Sequence, residues 1–390
     1  MLLLDLSHTA HTRARTGIQR VALALHKTLG AQALSVTHDP FLGAWRSLDP
    51  WETAQLAHSR GARRRRAHWP LFARWRGRVR RLAGRTDDPA LRGEFSGAIV
   101  PEIFSPAVAR GLPHLFSRVQ GPRIALFHDA IPLRFPEFTP PGTVARFPMY
   151  LQELLQFDGI AANSADSSAA LTGFWRWLGI AHPPPVIALP FGVDSPAYPT
   201  TDDATSLRGL PCVLCIGTLE GRKNHEALLA ACDELWTRGL RFELRLIGHV
   251  NRHTGSAALA RIHALQAAGR PLRYDGPVTD DEIDRAYAAC AFSVYPSIAE
   301  GFGLPVIESL THGKPCICSA HGALGESARG GGCLALASVD AAALAAAIAR
   351  LLESPAELAD LSAAARARTF RSWADYTREL TTWMHTLPRR

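Results

Sequence analysis

Residues 295–308, YPSIAEGFGLPVIE, constrain the chain more than any other stretch, because an apolar run stops there at a proline and gives way to a glycine-bracketed loop and a helix start. Residues 291–295 (AFSVY) read as a short buried strand, which Pro296 and Ser297 end because proline has no N–H to give a ladder. Gly301 and Gly303, on either side of Phe302, let the backbone approach a ligand closely or take positive φ. Leu304 and Pro305 then open a helix expected to reach residue 311. The uncapped start of such a helix offers unpaired N–H groups and the positive end of its dipole, which suits a phosphate or diphosphate.

Two carboxylates bracket this loop: Glu300 stands before the glycines and Glu308 one turn into the helix, with seven residues between them. Placed so, they can reach different parts of one elongated ligand, and hydroxyls are what such carboxylates hold. The plainer reading is a solvated loop glutamate and a first-turn glutamate favoured by the dipole. The whole run E-G-F-G-L-P-V-I-E resembles the E-x7-E motif of retaining glycosyltransferases with the GT-B fold, in particular family 4. That resemblance implies an α/β chain of GT-B architecture, two Rossmann-like domains facing a cleft, and chemistry that needs neither metal nor cofactor.

At 390 residues the chain exceeds what one core usually serves, so two domains are expected. The segment 189–211, rich in Pro, Gly, Ser, Thr and Asp, reads as the linker. The expected domains are 1–195 and 205–370, and in the resembling fold a helix in 371–390 crosses back onto the first. No apolar run approaches the roughly 18 residues that span a bilayer. The opening MLLLDLS lacks a basic n-region and cleavage site, so it reads as a first strand of a cytoplasmic chain. Seven cysteines, all in the second half, are then expected as free thiols. Cys212 and Cys215 have metal-like spacing but lie in a strand-like run, where residues three apart face opposite ways.

The net charge of +8 is concentrated in residues 60–85, where eleven arginines are interleaved with Trp69, Leu71, Phe72 and Trp75. Arginine with tryptophan suits an anionic membrane surface, the ring at headgroup depth and the guanidinium on lipid phosphate. A solvated, partly disordered insertion is the plainer reading. Nucleic acid would also attract the run but is not expected as a partner.

In chain order, residues 2–6 read as a strand and 17–29 as a helix carrying Ile18, Val21, Leu25 and Leu29 on one face. The turn between them matches, at Thr16-Gly17, the glycine turn whose backbone faces the donor phosphates in the resembling family, which more often has two glycines. Residues 97–100, 124–127 and 159–162 read as strands, the second ending at His128-Asp129. Ligands of open α/β sheets bind beyond the carboxyl ends of strands. The sequence FHDAIPLRFPEF also resembles a segment of family-4 mannosyl- and rhamnosyltransferases, which implies that His128 faces the donor sugar. Asp129 orients that ring or holds acceptor. Asn163 and Ser164, at the next strand end, line the acceptor site or cap the following helix.

The second domain opens with a strand at 213–217 and continues TLEGRKN. GTLEGRKN resembles the family's basic diphosphate-binding loop, which makes Gly217, Arg222 and Lys223 donor-loop residues. Many members have Arg where this chain has Thr218. Thr279 and Glu282 form a capping box, so Asp280 and Asp281 are first-turn dipole partners, and in such enzymes the backbone near Val278 approaches the base. The resemblance thus implies His128, Glu300, Arg222 and Lys223 as catalytic, and Gly17, Gly217, Val278, Gly301, Phe302, Gly303, Leu304 and Glu308 as donor-binding. The implied donor is a nucleotide diphosphate sugar, with GDP-mannose or a deoxyhexose nucleotide in front. The implied acceptor is a saccharide or lipid-linked saccharide in bacterial surface-polysaccharide assembly. A catalytically silent sugar-nucleotide binder that docks a membrane or partner is the alternative.

Overall fold

A computed structural model describes residues 1–12, 17–57, 67–194 and 209–388. Thr16, the arginines of the basic run from Arg60 to Arg66 and residues 195–208 of the expected linker lie outside the described residues. The chain divides into two compact units: Met1–Ala130, Ala145–Gly192 and Trp373–Arg390 form the first, Ile131–Val144 and Val193–Ser372 the second.

Among the described residues the first unit is built on seven strands: β1 (Leu2–Asp5), β2 (Ala33–Asp39), β3 (Ala44–Ser47), β4 (Gly97–Val100), β5 (Arg123–Phe127), β6 (Gly159–Ala162) and β7 (Val186–Ala188). Their order is β3-β2-β1-β4-β5-β6-β7, and only the edge pair β2–β3 is antiparallel. β1, β4 and β6 are buried at every residue, as strands covered on both faces must be, and hence read as unbroken apolar runs. The chain leaves β1 for β2 on one side and returns to β4 on the other, so the topological switch lies between β1 and β4.

Helix Gly17–Leu29 buries Val21, Ala22, Leu25 and Leu29. Helix Trp373–His385 packs beside it, joined by a 2.6 Å hydrogen bond between the hydroxyls of Thr28 and Thr377. That second helix also lies over two strand starts that only glycine leaves flat enough. A Cβ on Gly97 would sit 1.9 Å from Met384 Cε, and one on Gly159 would sit 2.8 Å from Trp383 Cη2 and 2.5 Å from Leu387 Cδ1 just past the helix.

Among the described residues the second unit has six strands, all parallel: β8 (Cys212–Ile216), β9 (Glu243–Ile247), β10 (Leu272–Tyr274), β11 (Phe292–Tyr295), β12 (Cys316–Ser319) and β13 (Cys333–Leu336), in the order β10-β9-β8-β11-β12-β13. Along β8 the side chains alternate: Cys212 and Leu214 enter one core with Tyr287, while Val213 and Cys215 enter the other with Leu228 and Phe292. The two cysteines therefore face opposite layers. Helix His225–Thr237 closes the larger core with Leu228, Leu229, Cys232 and Leu235 fully buried. Here the switch lies between β8 and β11.

Residues 131–144, inside the expected first domain of 1–195, group with the second unit, where Phe138 lies so close to Gly221 that a Cβ there would be 2.8 Å from its ring. Among the described residues no helix is long and apolar enough to cross a membrane.

Candidate active site

Two loops leave the carboxyl ends of β8 and β11 at the switch of the second unit. After β8 comes Gly217, then a single 3-10 turn, Gly221–Lys223, and Asn224 at positive φ, which turns the chain into helix His225–Thr237. After β11 comes the loop 296–303. The loops are laced together by hydrogen bonds to backbone carbonyls: Ile298 N–H donates to Arg222 O at 2.8 Å, Arg222 Nη1 to Ala299 O at 3.0 Å, and Ser297 Oγ to Arg222 O at 3.2 Å.

Glu300 is the hub. Its Oε1 accepts from Arg222 Nη1 at 2.7 Å and Tyr295 OH at 3.0 Å, and also from Lys223 Nζ and Ser297 Oγ. Lys223 Nζ lies 4.6 Å from the centre of the Tyr295 ring and donates to its hydroxyl. Arg222 Nη2 reaches Glu220 Oε1 at 2.8 Å. Gly217 faces this group, since a Cβ there would stand 3.8 Å from both Lys223 Cδ and Tyr295 Cε2. Tyr295, Ser297 and Glu220 were not singled out in the sequence. The signal for Tyr295 is its place as the last residue of the switch strand, with a hydroxyl on an otherwise apolar run.

Burial raises the Glu300 carboxyl, but Arg222 and then Lys223 outweigh it and hold its pKa at about 2. Lys223 is pulled below the ordinary lysine value by burial, with Glu300 opposing. Burial, assisted by Lys223, pushes the neighbouring His225 from 6.5 to about 3, and its Nδ1 has no hydrogen-bond partner among the described residues.

Both shifts carry a pH dependence of the same sign. His225 stays neutral in the folded chain where the unfolded chain takes a proton, so its contribution is complete above pH 6.5 and is lost as the pH falls towards 3. Glu300 contributes fully above its ordinary 4.5 and loses that contribution towards pH 2. Amide protection in helix His225–Thr237 is therefore expected to drop by about 2 kcal/mol between pH 6.5 and about pH 5, and His225→Gln to flatten the curve. Hydrogen exchange, corrected for intrinsic rate, reads this directly; a flat wild-type profile would refute it.

Helix Leu304–Thr311 starts from Gly303 at φ 92°, which has no side chain to cap it, with Pro305 in the first turn. A Cβ on Gly303 would lie 2.7 Å from Leu324 Cδ2, so the left-handed turn and the packing both require glycine. Ser327 Oγ donates to Phe302 O at 2.7 Å and fixes the loop from below. Glu308, one turn on, accepts from Tyr287 OH at 3.3 Å. Gly301 is buried and Leu304 half-buried. Val278 precedes helix Asp280–Ala289 and packs against the Cys212, Leu214 and Tyr287 layer. Thr279 and Glu282 form the expected capping box, with both aspartates in the first turn. The second unit thus gathers a buried and a half-buried cation, a helix start at a glycine and two carboxylates at its sheet switch, a set that can hold an anion bearing hydroxyls.

In the first unit, Gly17 opens its helix as an exposed residue. His128 follows β5 and is buried; its Nε2 lies 2.7 Å from Pro101 O, an acceptor only, so Nε2 carries the proton. Burial lowers its pKa to about 4, and the ring is neutral at pH 7. Asp129 is half-buried beside it. Asn163 ends β6 buried, and Ser164 caps helix Ala165–Trp177 by accepting from Ser167 N–H at 3.1 Å. Of the two readings of Ser164, the structure places its hydroxyl in the cap.

The profile of the family described as Glycosyl transferases group 1 matches residues 211–354. The serotype-specific mannosyltransferase WbdA of Escherichia coli is 27% identical over 335 residues, covering 81% of this chain and 38% of WbdA. O-antigen chain mannosyltransferase B of E. coli is 38% identical over 107 residues, 27% of this chain and 28% of that protein. The chain thus spans well under half the length of these curated relatives. Among solved structures, sucrose-phosphate synthase from Thermosynechococcus elongatus superposes with a TM-score of 0.70 at 19% identity, covering 99% of this chain and 98% of that one. Anabaena HepE, solved with UDP and glucose, gives 0.71 at 17% identity and 99% coverage of both. The two parallel-sheet units are those of the GT-B class. Residues 211–354, which hold every donor-loop residue of the second unit, match the group 1 glycosyltransferase profile.

Proposed function

We propose that the chain is a retaining glycosyltransferase that moves a hexose, mannose in first place, from a nucleotide diphosphate sugar to a hydroxyl of a saccharide or lipid-linked saccharide in surface-polysaccharide synthesis. The observation that carries this reading is the Glu300–Arg222–Lys223 cluster between the ends of β8 and β11, beside the helix start at Gly303. As the bond between the sugar's anomeric carbon and the diphosphate lengthens, negative charge builds on the leaving oxygen. Arg222, Lys223 and the N–H groups at 301–304 are positioned to oppose that charge. The acceptor oxygen bonds to the same face of the carbon, and its proton passes to the departing phosphate oxygen. Glu308 takes the ribose hydroxyls and Glu300 the sugar's own. His128 serves as a neutral hydrogen-bonding group for the sugar, and Gly17, Gly217 and Val278 admit the donor by close backbone approach. Asp129 and Asn163 belong to the acceptor side.

Mannose is put first because WbdA and mannosyltransferase B carry it in their names, whereas the HepE structure holds UDP and glucose. Calorimetry of wild type and Glu308→Ala with GDP, UDP, dTDP and their sugar conjugates separates these donors. One nucleotide is expected to bind, weakened roughly 10- to 100-fold by the substitution, the scale of one charge-assisted hydrogen bond. Binding of none would overturn the transferase reading; binding without donor hydrolysis or transfer would favour the silent binder.

A further inference from the structure

Helix Leu71–Leu82 (LFARWRGRVRRL) is packed inside out. Its smallest residues, Ala73 and Gly77, are the buried ones, and a Cβ on Gly77 would lie 2.9 Å from Phe41 Cβ. Opposite them, Leu71 (80% exposed), Phe72 (55%), Trp75 (71%), Val79 (42%) and Leu82 (88%) form one continuous outward stripe. At 3.6 residues per turn, Arg74, Arg78 and Arg81 fall along one border of that stripe and Arg76 and Arg80 along the other. The body tethers part of each border: Arg74 and Arg78 lie over the Phe41 ring at 5.8 and 5.5 Å, and Arg76 pairs with Asp49. The helix has no acidic residue.

From this arrangement we propose that the helix lies flat in the surface of an anionic lipid bilayer, its apolar stripe at the acyl-chain boundary and its arginines among the lipid phosphates. A second copy of the chain is the poorer occupant, because stripe-to-stripe docking brings arginine rows together with no acid on either helix to pair them. A nucleic acid backbone is poorer too, because the outermost groups are apolar and a polyphosphate buries none of them.

The test is co-sedimentation of the full chain with vesicles of phosphatidylcholine alone and of phosphatidylcholine mixed with phosphatidylglycerol. Partitioning onto the mixed vesicles is expected to be at least roughly tenfold stronger and to weaken with salt. The variants L71Q/W75Q/L82Q and R78Q/R81Q are each expected to lose it by roughly tenfold or more. All five side chains are exposed and glutamine is a good helix former, so circular dichroism and melting should be unchanged in both. A wild type that stays in the supernatant, or a triple variant that binds as well as wild type, overturns the proposal. So does a wild-type dimer that the triple variant dissociates, or duplex DNA binding that only the arginine variant abolishes.

Discussion

Lys223→Ala is expected to slow sugar transfer by about 10²–10³, the cost of losing one charge-stabilising donor, while the protein melts at a nearly unchanged temperature. The two halves of that expectation come from the same geometry. Lys223 Nζ is one of four donors on Glu300 Oε1, so its removal leaves that carboxylate held by Arg222, Tyr295 and Ser297. No buried charge is stranded. What is lost is a cation beside a helix start, where the leaving diphosphate would gain charge. Initial rates with the donor identified by calorimetry, beside a thermal melt, test both halves. Near-wild-type turnover would remove Lys223 from the chemistry; a collapsed melt would make it structural instead.

Glu300→Ala should behave in the opposite way. A buried and a half-buried cation and two hydroxyls then lose their shared acceptor, and of the two cations Glu220 pairs with Arg222. Removing one partner of a buried ion pair typically costs about 3–5 kcal/mol, because the remaining charge stays desolvated and uncompensated. Arg222 keeps some solvent contact, so a loss of about 3 kcal/mol in urea unfolding is expected for the second unit. On the role proposed for Glu300 towards the sugar's hydroxyls, transfer should also fall. An unfolding midpoint equal to wild type would show that the cluster relaxes freely into water and that Glu300 does not hold it together.

The elements that carry the donor loops were legible because their signals are local. A proline after an apolar run, two glycines around Phe302 and a second proline mark β11, the loop and helix Leu304–Thr311 within a residue of where they lie. The partners of Glu300 were harder to see. Tyr295 ends an apolar strand and its ring is buried, so it reads as core, and only the fold brings its hydroxyl to Lys223.

β2 and β3 were missed for a related reason. Asp39 and Arg46 break their apolar pattern, yet both are buried because they pair with each other at 3.0 Å, and Arg46 also holds Glu52 at 2.7 Å. Sequence periodicity registers charges as exposed; it has no way to register that they neutralise one another. Helix Leu71–Leu82 shows the converse. Its apolar spacing is helical, but the contact face is made of Ala73 and Gly77, side chains too small to stand out.

The helix Trp373–His385 gives the chain an unusual order of assembly. The first unit needs this helix against the glycine starts of β4 and β6, yet the ribosome makes it only after all of Val193–Ser372. Until it is made, Gly97 and Gly159 lack the side chains that pack over them. Synthesis from the amino end usually lets the leading domain finish first. Here the helix that covers the first unit is made after the second unit, so an interruption within Val193–Ser372 leaves Gly97 and Gly159 without their cover.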